Sequence, residues 1–162
     1  MRGWIKVAEK TNVMRILEQK KVPYKSYSYA DTDAVNGEEV AAVLGQNPDQ
    51  VFKTLVTVGK SRTNYVFVIP VNCELDLKKA AKAVGEKSIQ MIKQKELLPL
   101  TGYIHGGCSP VGMKKLLKTT IHESAKQFSE IIFSAGKIGY QVQVSPEELK
   151  KVVRFEMADV VE

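Results

Sequence analysis

The sequence predicts an α/β (α+β) fold, with a mixed, largely antiparallel, barrel-like sheet flanked by helices. Three observations predict it: short apolar or alternating segments recur along the chain, turns rich in Gly, Asn or Pro separate them, and few segments have helical periodicity. Short strands in quick succession favour such a sheet over a doubly wound parallel one.

Four helices are predicted from residues that accept hydrogen bonds from the first amides of a helix. These residues are Thr11 or Asn12, Asn36, Asp76 and Ser145. Glycines or a proline follow three of the segments, as is typical of helix ends. The predicted helices therefore end at Lys20, Leu44, Val84 and Val153.

Strands are predicted where apolar or alternating runs lie between turns. Val51–Val58 and Tyr65–Val71 are long enough to pair as an antiparallel hairpin across a polar turn. Shorter strands are expected near 24–29, 89–92, 120–122, 130–133 and 140–144.

The size and composition favour one soluble domain. A chain of 162 residues, with 44% apolar and 26% charged residues, suits a single domain over 1–162, with 1–10 as a peripheral N-terminal segment. No apolar run reaches the ~18–20 residues of a membrane span. The N-terminus lacks a secretory pattern, and two cysteines allow at most one disulfide. We therefore expect a cytoplasmic protein.

Basic residues outnumber acidic ones, 24 to 18, which gives a net charge of +6. Lysines are grouped in three segments: Lys78, Lys79 and Lys82, then Lys87, Lys93 and Lys95, then Lys114, Lys115 and Lys118. Such a group can be a solvated helix face. The alternative is a surface for a polyanion such as a structured RNA, contacted through its phosphates.

Lys53 interrupts an otherwise apolar predicted strand. It shares one face with Val51 and Leu55, so its amine lies among hydrophobic neighbours. One interpretation is a lysine whose stem packs while its ammonium reaches water. The other is a cation held in a cleft to meet an anion or polarise a carbonyl.

Two glycine-rich segments are candidate binding loops. The first runs from Gly106 to Gly112 and the second from Ser134 to Gly139. Adjacent glycines allow close approach to the main chain, and successive amides can bind an oxyanion or phosphate. Either segment can also be simply a tight turn.

Cysteine and histidine chemistry has weaker support. Cys108 lies near His105, but a nucleophilic thiol requires a base and an oxyanion hole that one loop does not reveal. Cys73 and His122 are isolated, without the paired spacing of zinc ligands. We expect no metal and no cofactor, and we expect Cys108 to be a small, buried hydrophobic residue.

Several motifs in order resemble one family. They are Val51-Phe52-Lys53-Thr54-Leu55, Leu75–Lys82, Thr101-Gly102-Tyr103, Gly106-Gly107 with Ser109–Lys115, and Ser134–Lys137. From about Asn12 to Val161, the chain resembles YbaK/EbsC-type Cys-tRNA(Pro) deacylases, which are related to the editing domain inserted in bacterial prolyl-tRNA synthetases. The fold that this resemblance implies is a barrel-like sheet flanked by helices.

The resemblance implies a set of site residues. Lys53 matches the family's essential lysine, and Gly107 lies in the glycine pair beside the aminoacyl group; both are expected to be catalytic. The expected substrate-binding residues are Tyr29, Thr54, Gly106, Ser109, Ser134 and Gly136. The expected tRNA-binding residues are Lys78, Lys79, Lys82, Lys114 and Lys115.

The chain departs from the family pattern in three places. Cys108 stands where relatives commonly have Ile, which argues against a nucleophilic role for it. Gln141 stands where some relatives have an acid, so it is given no catalytic role. The segment from Asp31 to Asn36 matches poorly and leaves the edge of the pocket undefined.

The activity that the resemblance implies is deacylation of mischarged Cys-tRNA(Pro), or of Cys-tRNA(Cys). The substrate's own thiol attacks its ester carbonyl, so the reaction is lyase-like and requires no protein nucleophile. The expected partners are the tRNA acceptor end and prolyl-tRNA synthetase. Two alternatives stay open: a deacylase for another small aminoacyl group, as in Ala-tRNA(Pro), and a non-catalytic basic module that binds tRNA or a synthetase.

Overall fold

The structure is a computed structural model that describes residues 10–162. Residues 1–9 of the predicted N-terminal segment lie outside this range. In chain order the elements are α1 (Asn12–Gln19), β1 (Lys25–Ser28), α2 (Gly37–Leu44), β2 (Phe52–Gly59), β3 (Asn64–Pro70), α3 (Leu77–Val84), β4 (Ile89–Met91), α4 (Gln94–Thr101), β5 (Lys118–His122), a 3₁₀ turn (Glu123–Gln127), β6 (Ile131–Ser134), β7 (Tyr140–Val144), α5 (Pro146–Leu149) and β8 (Phe155–Ala158).

The strands form two sheets. The five-stranded sheet has the order β4-β2-β3-β5-β8, and the three-stranded sheet has the order β1-β7-β6. Pairing is antiparallel except for β3 with β5 and β5 with β8. A parallel bridge between Val51 and Ile132 connects the two sheets. The prediction of a mixed, largely antiparallel sheet flanked by helices is confirmed.

The sheet does not close into a barrel, so that detail of the prediction is wrong. The larger sheet ends at β4 on one side and at β8 on the other. β4 is three residues long and pairs only with the far end of β2, from Thr57 to Gly59. Between Val56 and the bridge at Val51, that edge of β2 is not paired with any described strand.

The helix caps follow the sequence. The side chains of Thr11, Asn36, Asp76 and Ser145 each accept a hydrogen bond from an amide in the first turn. α2 and α3 end at Gly45 and Gly85, both in the left-handed conformation that glycine adopts at little cost. The last helix is shorter than predicted, because it ends at Leu149 instead of Val153.

Three clusters of buried apolar side chains hold these layers together. The largest lies between the sheets and contains Val13 and Leu17 of α1, Val66 and Val68 of β3, and Phe133 of β6. On the opposite face of the larger sheet, α3 packs Ala80 and Ala81 against the odd-numbered residues of β3. A small third cluster joins α2 to the bridge between the sheets. No helix in the described range is long and apolar enough to cross a membrane.

Candidate active site

On one edge of β2, a short stretch around Thr54 is unpaired in the described structure, between Val56 and the bridge at Val51. The backbone hydrogen bonds at Val51 and Gly59 show that the amides and carbonyls of the odd-numbered residues of β2 point toward β3. Those of the even-numbered residues therefore point toward the opposite edge of the strand. At this opposite edge, Ile92 N–H donates to Val56 O at 3.3 Å, which is the last backbone hydrogen bond between β2 and the segment that contains β4. The amide and carbonyl of Thr54 therefore face an edge that no described strand covers.

A cavity of about 700 Å³ lies along this edge. Because it follows the edge, side chains from both faces of β2 line it, including Phe52, Lys53, Thr54 and Leu55. The remaining wall comes from the segment between β1 and α2, from α2, β4, α4 and β7, and from the residues that follow β3, Ile104 and Phe133. Most of the lining is apolar, with a few polar groups, which is typical of a small-molecule site.

Lys53 and Thr54 bring the polar groups of β2 to the cavity. The Lys53 side chain is half-buried and forms no ion pair or hydrogen bond with another described residue. The Thr54 hydroxyl is buried and likewise has no partner within residues 10–162. A buried hydroxyl without a partner costs free energy, which a bound polar group can recover. Both residues are therefore placed to contact a ligand.

The first glycine-rich loop contributes Gly106 and Cys108 to the cavity wall, whereas Gly107 lies behind it. The Gly107 amide donates to Ile104 O at 3.0 Å, and a Cβ on Gly107 would lie 3.2 Å from the amide nitrogen of Ile138. The amides of Gly106 and Cys108 donate to no acceptor in the described part of the chain. They are the free donors of this loop that belong to residues lining the cavity.

The remaining predicted substrate-binding residues fall into two groups. Tyr29 and Ser134 line the cavity. Ser109 does not: it is fully buried, and its hydroxyl accepts from Val111 N–H at 3.3 Å. Gly136 also lies away from the cavity, where its positive φ of +89° and its packing against Val13 and Tyr103 leave no room for a side chain.

A pair of glutamines was missed in the sequence. Gln46 Nε2 donates to Gln141 Oε1 at 2.9 Å, and Gln141, only 5% exposed, lines the cavity. Gln46 Oε1 is buried without a partner among the described residues. Since the two side chains are 95 positions apart, no local pattern could have revealed this contact.

The segment from Asp31 to Asn36 forms one side of the cavity mouth. Ala34, Val35 and Asn36 line it, and Val35 is 82% exposed. The segment is fixed to the start of α2, because the amides of Val35 and Asn36 donate to Glu39 Oε1 at 2.9 and 3.1 Å.

The two cysteines are poor candidates for nucleophiles. Burial raises the pKa of the Cys108 thiol to about 12, so the thiol is protonated near neutral pH. Burial and the nearby Asp49 carboxylate raise the pKa of Cys73 as well. No three His, Cys, Asp or Glu side chains within the described range come together as a metal site.

The predicted tRNA-binding lysines differ in their surroundings. Lys79 Nζ contacts Asp159 Oδ2 at 2.9 Å and Val161 O at 2.8 Å, so its charge is already paired. Lys78, Lys82, Lys114 and Lys115 are exposed and pair with no described acidic residue. Neither α3 nor the 114–118 segment lines the cavity.

The fold is a mixed α/β domain with a mostly apolar cavity, and a lysine, free amides and an unpaired stretch of strand edge border that cavity. The chain belongs to the aminoacyl-tRNA editing domain family, whose model matches residues 31–152.

Similar proteins agree with this assignment. The "Putative Cys-tRNA(Pro)/Cys-tRNA(Cys) deacylase EbsC" of Enterococcus faecalis is 49% identical over 96% of this chain and 95% of its own. A proline–tRNA ligase of Shouchella clausii is 30% identical over 72% of this chain, a match that covers 20% of the ligase. A solved structure described as "a putative trans-editing enzyme for prolyl tRNA synthetase" has a TM-score of 0.80 at 26% identity, and the match covers 96% of this chain and 99% of the other.

Proposed function

We propose that the protein is a trans-acting editing enzyme that deacylates Cys-tRNA(Pro), with Cys-tRNA(Cys) as a second substrate. The observation that carries the proposal is the cavity along the open edge of β2, where Lys53, Thr54 and the Gly106–Cys108 loop meet. The 49% identity to a protein named for this activity supports the choice of substrate. A link to prolyl-tRNA synthetase follows from the same similarities.

The need for such an enzyme has a physical origin. Cysteine and proline have similar volumes, and an apolar synthetase pocket discriminates weakly between groups of similar size. A second site must therefore remove the wrong amino acid by a chemical property instead of size. The cysteine thiol is that property, since alanine has no side-chain nucleophile and a serine hydroxyl is far less nucleophilic.

The proposed reaction is an intramolecular transfer. The substrate thiol loses its proton, its sulfur bonds to the ester carbonyl carbon, and the bond from that carbon to the ribose oxygen breaks. The ribose oxygen takes up a proton, so the products are free tRNA and a cyclic thioester. The protein supplies orientation, and no protein side chain becomes acylated.

The residues around the cavity suit this reaction. We assign the free amides of Gly106, Cys108 and Thr54 as donors to the oxyanion, each well-placed donor being worth about 3–4 kcal/mol. The Lys53 ammonium stabilises negative charge on the oxyanion or on the departing ribose oxygen. Gly107 acts indirectly, by allowing the loop to pack against Ile138. Tyr29 and Ser134 shape the pocket.

The experiment compares release of amino acid from Cys-tRNA(Pro), Cys-tRNA(Cys) and Ala-tRNA(Pro), followed with labelled amino acid. We expect deacylation of both cysteinyl substrates and little of the alanyl one. Faster release of alanine would assign the other deacylase activity. Failure on all three, with tRNA still bound, would leave a non-catalytic binding module.

A further inference from the structure

In the segment from β4 to the start of α4, residues that line the cavity are interleaved with exposed lysines. Met91, Ile92, Gln94 and Leu97 line the cavity, whereas Lys93 and Lys95 stand between them in the sequence and are exposed. Neither lysine pairs with an acidic residue in the described structure. The nearby Glu96 carboxylate accepts the Lys93 backbone amide at 3.1 Å. Two free cations therefore lie at the rim of the proposed site.

The cavity is larger than an aminoacyl group. Its volume of about 700 Å³ lies within the ~300–1,000 Å³ of pockets that hold drug-sized ligands, whereas a cysteinyl group has only a handful of heavy atoms. The esterified nucleoside must enter as well, because the scissile bond joins it to the amino acid. Its phosphates then leave the cavity across the rim.

Exposed apolar side chains also mark the rim. Val35, Met91 and Ile138 all line the cavity and are 82%, 46% and 52% exposed. Exposed apolar groups gathered around one opening indicate a binding surface. Met91 is the best suited to a planar base, since a thioether packs favourably against aromatic rings.

We propose that the β4–α4 segment is the docking surface for the single-stranded 3′ end of the tRNA: Met91 packs against the terminal base, and Lys93 and Lys95 contact the phosphates that precede it. This inference rests on the proposed function, since it assumes a tRNA ester in the cavity. It assigns no such role to Lys79, whose charge Asp159 already compensates. Two flexible lysines suit phosphate contacts, which require no fixed geometry.

The first test measures binding, independent of catalysis. Affinity for uncharged tRNA is measured at several salt concentrations for the wild type and for Lys93→Gln/Lys95→Gln. The matched control is Lys150→Gln/Lys151→Gln, which makes the same charge change at lysines that pair with Glu147 and Glu148 away from the cavity. We expect affinity to fall about 10-fold, and the slope against log salt to decrease by about 1.4, in the rim variant only. Equal effects in the two variants would overturn the proposal.

The second test separates the base from the phosphates. Met91→Ala should raise the KM for both Cys-tRNA and cysteinyl-adenosine, which has no phosphate. Lys93→Gln/Lys95→Gln should raise it for Cys-tRNA alone. A lysine effect of equal size on cysteinyl-adenosine would contradict the phosphate contacts, and a normal KM in Met91→Ala would contradict the base contact. A wild type that binds tRNA through this rim but deacylates nothing would refute the proposed function and retain the docking surface.

Discussion

The side-chain amide of Gln46 donates a 2.9 Å hydrogen bond to Oε1 of Gln141. The side chain of Gln141, a nearly buried cavity residue, is thus oriented by a residue that is 95 positions away in the sequence. With Oε1 engaged, Nε2 is the atom of Gln141 left to contact a bound group. The pair adds a polar, uncharged contact to a mostly apolar wall. Because this contact depends on Gln46, the role of Gln141 can be tested without altering the cavity wall itself.

We expect Gln46→Leu to raise the KM for Cys-tRNA several-fold without loss of stability. Removing Gln46 frees the Gln141 amide to rotate, but it also removes a buried oxygen that lacks a hydrogen-bond partner in the described structure, which offsets the lost contact. Steady-state kinetics and thermal unfolding provide the two measurements. Unchanged kinetics in a stable variant would show that the orientation of Gln141 is irrelevant.

We expect Lys53→Ala to reduce deacylation by at least ~100-fold, the scale of one lost electrostatic contact to the transition state. The fold should persist, because Lys53 is half-buried and holds no partner among residues 10–162. Single-turnover rates and circular dichroism measure the two effects. Lys53→Arg serves as the control that keeps the charge. A folded Lys53→Ala protein with normal turnover would refute the assignment.

We expect Gly107→Ala to slow deacylation about 10–100-fold, through displacement of the loop that carries Ile138. The new Cβ would lie 3.2 Å from the Ile138 amide nitrogen, so one of the two loops must move, and small misplacements are costly in catalysis. The control is Gly85→Ala, where φ is +75° and no atom lies within 4 Å of the added Cβ. That variant should lose about 1–2 kcal/mol of stability and no activity. Equal activity in both would make the glycine loop merely a turn.

We expect Cys73→Ala/Cys108→Ala to deacylate Cys-tRNA(Pro) at close to the wild-type rate. The pKa of the Cys108 thiol, raised by burial to about 12, leaves almost no thiolate at neutral pH. The double variant and the wild type should both fail on Ser-tRNA, because the required thiol belongs to the substrate. Loss of activity in a folded double variant would overturn the substrate-assisted mechanism.

We expect Lys79→Gln to lower stability and leave tRNA affinity unchanged. Lys114→Gln/Lys115→Gln should instead lower tRNA affinity and leave stability unchanged. The Lys79 ammonium holds the pKa of Asp159 below its usual range. The contribution of Asp159 is therefore present above its unfolded-state pKa and lost as the pH falls through its folded-state pKa. The stability difference between the wild type and Lys79→Gln should accordingly shrink in acid. Denaturant unfolding at several pH values and binding isotherms test both statements.

Local signals in the sequence predicted most elements of the fold. Capping residues located α1, α2 and α3, and the mostly apolar runs 51–58 and 65–71, separated by a polar turn, identified the central hairpin with its antiparallel pairing. α4 was missed because Pro99 lies inside it and proline normally opposes a helix interior. β8 was missed because it forms an edge strand whose pairing with β5 is parallel and distant in sequence.

The candidate site was predictable in part. Lys53, Thr54, Gly106 and Ser134 line one cavity, and each belongs to a motif that the sequence shows. Tyr29 lines it as well, and only the family resemblance pointed to that residue. Their roles in the reaction stay predictions. The Gln46–Gln141 contact and the pairing of Lys79 with Asp159 depend on tertiary approach between distant segments, which composition and spacing do not encode.

The open edge of β2 has a consequence for solubility. An unpaired strand presents amides and carbonyls to which a strand from another molecule can add, which is a common route to aggregation. Here the exposed stretch is short, Lys53 places a charge on it, and the cavity walls stand on either side. These are the devices by which proteins keep an edge from pairing with its copies. A slender, flexible group can still reach the backbone of Thr54, whereas an incoming β-strand cannot lie flat against it.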